Sequence, residues 1–114
     1  MKKGLLVNGN CLDSRFIHHV IFWMKDNLTK EERKIFEQGL EHLSTIETIA
    51  EIQIGKPAAT RRSVVDSTYS YSLIITFVSQ ENHDIYQKHP THLKFIRDCE
   101  KFWERVVVYD SISI

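Results

Sequence analysis

Cysteine is scarce in this 114-residue chain: Cys11 and Cys99 are all it has, too few for a disulfide framework or a zinc set. Net charge is missing as well. Fifteen basic and fifteen acidic side chains cancel, so no overall field draws the chain to nucleic acid or to an anionic membrane. Arg61 and Arg62 form one tight cationic pair outside a helix pattern, which is too little for a phosphate-tracking groove. Long apolar runs are also absent. The run after the lysines of "MKKGLLV" is about four residues, short of the roughly 7 to 15 of a secretory leader. Nothing approaches the roughly 18 apolar residues of a membrane-spanning helix. There is no repeat of about 20 to 50 residues and no low-complexity segment. These absences leave a single domain, expected in the reduced cytoplasm, with no nucleic-acid or membrane partner.

What is present patterns clearly. The length is enough to bury roughly two-thirds of the unfolded surface, and 42% hydrophobic content is ordinary for a globular chain. Residues 1–15 read as an N-terminal extension, either a loose tail or a short hairpin turning at Asn8-Gly9. Residues 16–114 read as the domain proper. "FIHHVIFWMK" is a strand by its β-branched and aromatic content. Alternation puts Phe16, His18, Val20, Phe22 and Met24 on one face, and Ile17, His19, Ile21 and Trp23 on the other.

"TKEE" is a capping box opening a helix with Ile35, Phe36, Leu40, Leu43 and Ile46 at helical spacing. "AEIQIG" is a second strand, and residues 57–67 a long loop. "TYSYSLIITFV" is a third strand, with Tyr69, Tyr71, Leu73, Ile75 and Phe77 sharing a face. The two tyrosines there either meet a partner chain or line a pocket. Ser79 caps a short helix that ends before Pro90, which holds His89 extended. A third helix carries Leu93, Ile96, Cys99, Phe102, Trp103 and Val106 as one stripe, and "RVVVYD" is the last strand.

The order β-α-β-β-α-α-β is an α+β, ferredoxin-like (split βαβ) plan. It makes a four-stranded antiparallel sheet with helices on one face. The strands are apolar on both faces, and the chain has no spare helix for the second. A self-partner through the open sheet face, giving a homodimer, follows.

"HHVIFWMK", "IGKP", "YSLIITFVS", "YQKHPTH" and "VVVYD", in that order over about residues 16 to 111, resemble the stress-responsive A/B barrel (Dabb) family. The resemblance implies a ferredoxin-like monomer, two of which close a dimeric α+β barrel. Family members include stress-accumulating plant proteins and a plant relative that cyclises a polyketide chain. In that relative the second histidine of the Y-x-x-H-P-x-H motif is the base and its tyrosine assists. The matching residues here are His92 and Tyr86 as the catalytic pair. A histidine on the first strand borders the same cavity; its counterpart is taken as His19, and Tyr71 stands where the relative has another histidine. The path from His19 to Asp26 is one residue shorter than in the relative.

The implied function is acid–base chemistry on a carbonyl or polyketide-like small molecule held between helices and sheet. Histidine has a suitable pKa for such a base, and a tyrosine hydroxyl can stabilise the charge that develops on oxygen. Two alternatives stand beside it. One is a non-catalytic structural or stress-related binding dimer, in which His89 caps the third helix, His92 bonds a backbone carbonyl and Tyr86 is core. The other is haem binding through a histidine, as in the wider superfamily. No cofactor is nominated, and no metal set either. His18 and His19 point to opposite faces, and His19 with His92 would need a carboxylate that the sequence does not nominate. His42 and His83 read as solvent-side helix residues.

Residues 1–14 lie outside the region of resemblance and lack a continuous apolar face. Deleting them is expected to leave the melting temperature within about 8 °C of the full chain, on a scale of roughly 4 to 8 °C per kcal/mol for this size. A larger fall in thermal denaturation would mean that the extension is docked on the domain.

Overall fold

Phe16–Met24 forms the strand at the centre of the fold, because it is paired on both sides. In the computed structural model, which describes residues 5–7, 10–12 and 15–114 (the first two stretches by backbone only), ten elements follow one another. They are β1 (Leu5–Val7), β2 (Asn10–Leu12), β3 (Phe16–Met24), α1 (Lys30–Leu43), β4 (Glu51–Gly55), β5 (Tyr71–Phe77), α2 (Gln80–Lys88), α3 (Pro90–Cys99), a 3₁₀ turn (Glu100–Phe102) and β6 (Trp103–Ile112). The four long strands form an antiparallel sheet in the order β4-β5-β3-β6. This is the α+β, ferredoxin-like arrangement expected. β1 and β2 pair separately, Leu5 opposite Leu12 and Val7 opposite Asn10; the Asn8-Gly9 turn lies outside the described residues. No described helix is long and apolar enough to cross a membrane.

Alternation decides what each strand contributes. Phe16, Val20, Phe22 and Met24 of β3 join Leu73, Ile75 and Phe77 of β5 beneath the helices, all buried. From above, α1 inserts Phe36, Leu40 and Leu43, and α3 inserts Phe95 and Cys99. The two helices approach closely at Gly39, where an added Cβ would meet Cys99 Sγ and the Phe95 ring at 3.1 Å. The opposite face of the sheet carries Ile17, His19, Ile21 and Trp23 of β3, paired with Ser111, Tyr109, Val107 and Arg105 of β6. It is partly open to solvent, Ile17 being 40% and Tyr109 63% exposed.

Local signals set the ends. Thr29 accepts from the Glu32 amide while Glu32 accepts from the Thr29 amide, the expected capping box. Three expectations need correction. Ile35 and Leu93 are about half exposed (49% and 52%), because the inward stripes are Phe36-Leu40-Leu43 and Phe95-Cys99. A helix turns about 100° per residue, so an apolar neighbour of a stripe residue is carried off the contact face. Trp103 begins β6 and does not continue the helix. The irregular stretch before β5 runs on to Ser70, fixed by hydrogen bonds from Trp23 to Thr68 and between Ser70 and the end of β3.

Phe36→Ala should lower the free energy of unfolding by about 3–5 kcal/mol, the usual cost of emptying a buried phenylalanine site. Ile35→Ala should cost under about 1 kcal/mol, its side chain being half exposed. Urea denaturation of the two variants checks the orientation of α1.

Candidate functional site

Proline builds the site. Pro90 lacks an N–H and crowds the residue before it, so His89 is held extended at φ −66°, ψ 137°. His89 is therefore the last cap of α2 and the first cap of α3 at once. Its Nδ1 accepts from the Thr91 amide at 3.1 Å, and its Nε2 lies 3.4 Å from Glu47. His89 is half-buried and structural. The break folds the last turn of α2 and the first turn of α3 towards the same side, and the Tyr86 and His92 rings meet with centroids 4.6 Å apart.

Beneath them lies a cavity of about 170 Å³, lined by His18, Val20, Phe22, Leu73, Tyr86, Gln87, His92, Phe95, Ile96 and Val108. Its wall is mostly apolar, and Val108, 47% exposed on edge strand β6, stands at its rim. Tyr86 is 1% exposed, and burial pushes its hydroxyl well above the ordinary tyrosine range, so it stays protonated as a donor. His92 is half-buried. Its Nδ1–H donates to the Gln87 carbonyl at 3.1 Å, which leaves Nε2 with the lone pair. Burial lowers the His92 pKa; the Gln87 bond opposes this, and His18 and His83 reinforce it. At neutral pH His92 is an uncharged base.

The other expected residues separate. His19 lies on the far face of β3, its Nε2 2.9 Å from Ser72 Oγ, and does not reach Tyr86 or His92. His18 takes its place: its ring lies 5.8 Å from Tyr86 and it lines the cavity. Period-two geometry leaves no other outcome, since neighbours on a strand point oppositely. Tyr71 faces the helices, not the open sheet face, and its ring packs at a tilt against Phe36 with centroids 5.1 Å apart. Its hydroxyl donates to Glu37 at 2.5 Å. It borders a different cleft, with Glu41, Ile54 and Lys56. Burial first, and Glu37 second, raise its pKa.

Two residues beside the cavity were missed. His83, expected on the solvent side, is 8% exposed and stacks on Phe16 at 4.3 Å. Its signal was present: His83 lies three residues before Tyr86, on the same helix face. Asp110, directly opposite His18 in the β3–β6 register, has its Oδ1 2.6 Å from His18 Nδ1. Asp110 raises the His18 pKa, but burial outweighs it and the net shift is downward.

With this geometry in hand, comparison with known proteins is decisive for the family. The model described as Stress responsive A/B Barrel Domain (Dabb) matches residues 16–113. The chain belongs to that family. Olivetolic acid cyclase of Cannabis sativa is 23% identical to this Dabb chain over 94 residues, covering 82% of the chain and 91% of the cyclase. A hydroxynitrile lyase from Passiflora edulis superposes with a TM-score of 0.73 at 20% identity, over 88% of this chain and 94% of its own. A dimeric ferredoxin-like protein of unknown function from Thermobifida fusca superposes at 0.72 and 15% identity, over 99% and 100%. These superpositions establish the shared fold.

The histidine pKa values predict a pH response. His18, His19 and His92 are all depressed by burial, so below about pH 6.5 the unfolded chain binds protons that the folded chain does not. Their contribution to stability is complete above that value and is lost as pH falls towards the depressed folded values. The urea midpoint should therefore fall between pH 7.5 and 5.5, a range above the titration of the carboxylates. His92→Gln should flatten that fall.

Proposed function

We propose that this Dabb chain is a homodimer that binds a small carbonyl compound against His92 and Tyr86 and catalyses proton transfer on it. The observation that carries the reading is the Tyr86–His92 pair, 4.6 Å apart on the wall of a mostly apolar cavity. His92 Nε2 takes a proton from a carbon beside the carbonyl, or from a hydroxyl. The Tyr86 hydroxyl donates to the oxygen on which charge develops. A cavity of about 170 Å³ is smaller than the roughly 300 to 1,000 Å³ of common ligand pockets. That size favours a compact carbonyl ligand over an extended polyketide, and it argues against haem. Support from relatives is coarser: two of them are named as enzymes, a cyclase and a lyase.

The dimer forms through the open sheet face, where Ile17, Ile74, Val107 and Tyr109 would leave water against a second copy. Burial at about 25 cal/mol per Å² favours this after association costs. Solved neighbours described as dimeric support it. A second reading, a binding dimer without turnover, draws on the structural bonds that His89 and His92 make to Thr91 and Gln87.

The test combines light scattering with ligand-detected NMR against a panel of small aldehydes and ketones. The chain should run as a dimer at micromolar concentration. His92→Ala should keep the dimer and its melting temperature within a few degrees while losing ligand turnover. Tyr86→Phe should keep binding and slow turnover by about 100-fold. Binding without turnover would favour the second reading. A His92→Ala chain that does not fold would make the motif structural.

A further inference from the structure

His83 carries a buried nitrogen with no hydrogen-bond partner among the described residues. Its Nδ1 lies 3.0 Å from Asp84 Oδ1; a carboxylate accepts, so Nδ1 bears the proton and Nε2 the lone pair. Among the described residues Nε2 has no hydrogen-bond partner although it is buried, and the residue as a whole is only 8% exposed. It faces Asp110, whose Oδ2 is 3.9 Å away. A lone pair and a carboxylate oxygen thus point at each other across a gap in a desolvated place, which is unfavourable unless a cation stands between them. The third wall of that gap is His18, held by Asp110 at 2.6 Å. One donor atom from each of His18, His83 and Asp110 lies within 4.8 Å of the others.

We infer that His18, His83 and Asp110 form a binding site for one divalent transition-metal ion of the zinc type per chain. Two imidazoles and one carboxylate are a donor set that suits zinc, cobalt and their neighbours better than calcium or magnesium. Tetrahedral ligands about 2.1 Å from a metal stand about 3.4 Å apart, so the observed spread closes with shifts on the order of 1 Å. Asp84 orients His83 from behind, as carboxylates commonly do for metal-bound histidines. Asp110 supplies the way in: its side chain is 40% exposed on edge strand β6. Three protein ligands leave the metal an open position, and the His18 ring is shared with the wall of the Tyr86–His92 cavity. The missing carboxylate of the sequence reading is therefore Asp110, and the histidines are His18 with His83, not His19 with His92. The site stands independently of the proposed chemistry, because it is read by metal binding and not by turnover.

The experiment uses untagged, chelator-treated full-length protein, titrated with Co²⁺ under visible absorption and with Zn²⁺ by calorimetry, at pH 7.5 and 5.5. Expected are one equivalent per chain, visible bands of four- or five-coordinate cobalt, and weaker binding at the lower pH, since the ligands must lose protons. Asp110→Asn and His83→Ala should each weaken binding by at least about 100-fold, and Asp84→Asn by about 10-fold. His42→Ala, on an exposed histidine of α1, should leave it unchanged. If His83→Ala does not fold, Asp110→Asn on the partly exposed edge decides alone. Absence of stoichiometric binding, or binding that survives Asp110→Asn, would overturn the inference and leave a proton as the occupant of the gap.

Discussion

The direction of each side chain on β3 governs the rest of the molecule. This strand is paired on both sides, so its backbone cannot rotate, and a shift by one residue would exchange its two faces. Even-numbered residues go to the helices and odd-numbered ones to the open face. That single constraint fixes the core at Phe16, Val20, Phe22 and Met24 and places His18 beside Tyr86. It sends His19 to Ser72 on the other side. Two chemically identical neighbours acquire unrelated environments because of one strand's register.

The second organising feature is the proline break between α2 and α3. A continuous helix would set Tyr86 and His92 about 600° apart in rotation, on different faces. Ending one helix and restarting another at His89 brings them together instead. The same bonds that make the break stable set the state of the two side chains on which the proposed chemistry rests. The Gln87 carbonyl fixes the His92 tautomer, and burial keeps His92 neutral and Tyr86 protonated. The structural bond of His92 uses Nδ1 and leaves Nε2 open, so the carbonyl bond is compatible with the proposed chemistry.

The edge strand β6 ties the cavity to its surroundings. Among the described residues its outer edge has no strand partner, and Val106 and Val108 on its helix side remain 40% and 47% exposed. The helices therefore do not seal the cavity at that end. Asp110 on the same strand meets both His18 and His83, and of these three ionisable groups His18 lines the cavity. Their mutual influence reaches His92, whose pKa both histidines depress.

Much of this was legible in the sequence. Strand alternation, the Thr29–Glu32 capping box and the Pro90 break are local signals, governed by residues a few positions apart, and they yielded the element order and the sheet, while the pair Tyr86–His92 came from the family resemblance. Residues that depended on exact rotation were less legible. Ile35 and Leu93 sit beside true stripe positions, and hydrophobicity alone does not say which of two apolar neighbours faces inward. Sequence alone takes His19 as the cavity histidine, because a strand apolar on both faces does not mark which face is covered; the helices resting on one face put His18 there instead. Asp110 was invisible as a partner for His18 because 92 residues separate them, and Tyr71 could be assigned to its own cleft only once α1 lay across it. The sequence by itself determined which elements form and where they break, because those depend on nearest neighbours. The tertiary structure alone decided which side chains share a cavity, because that depends on strand register and on which face the helices cover.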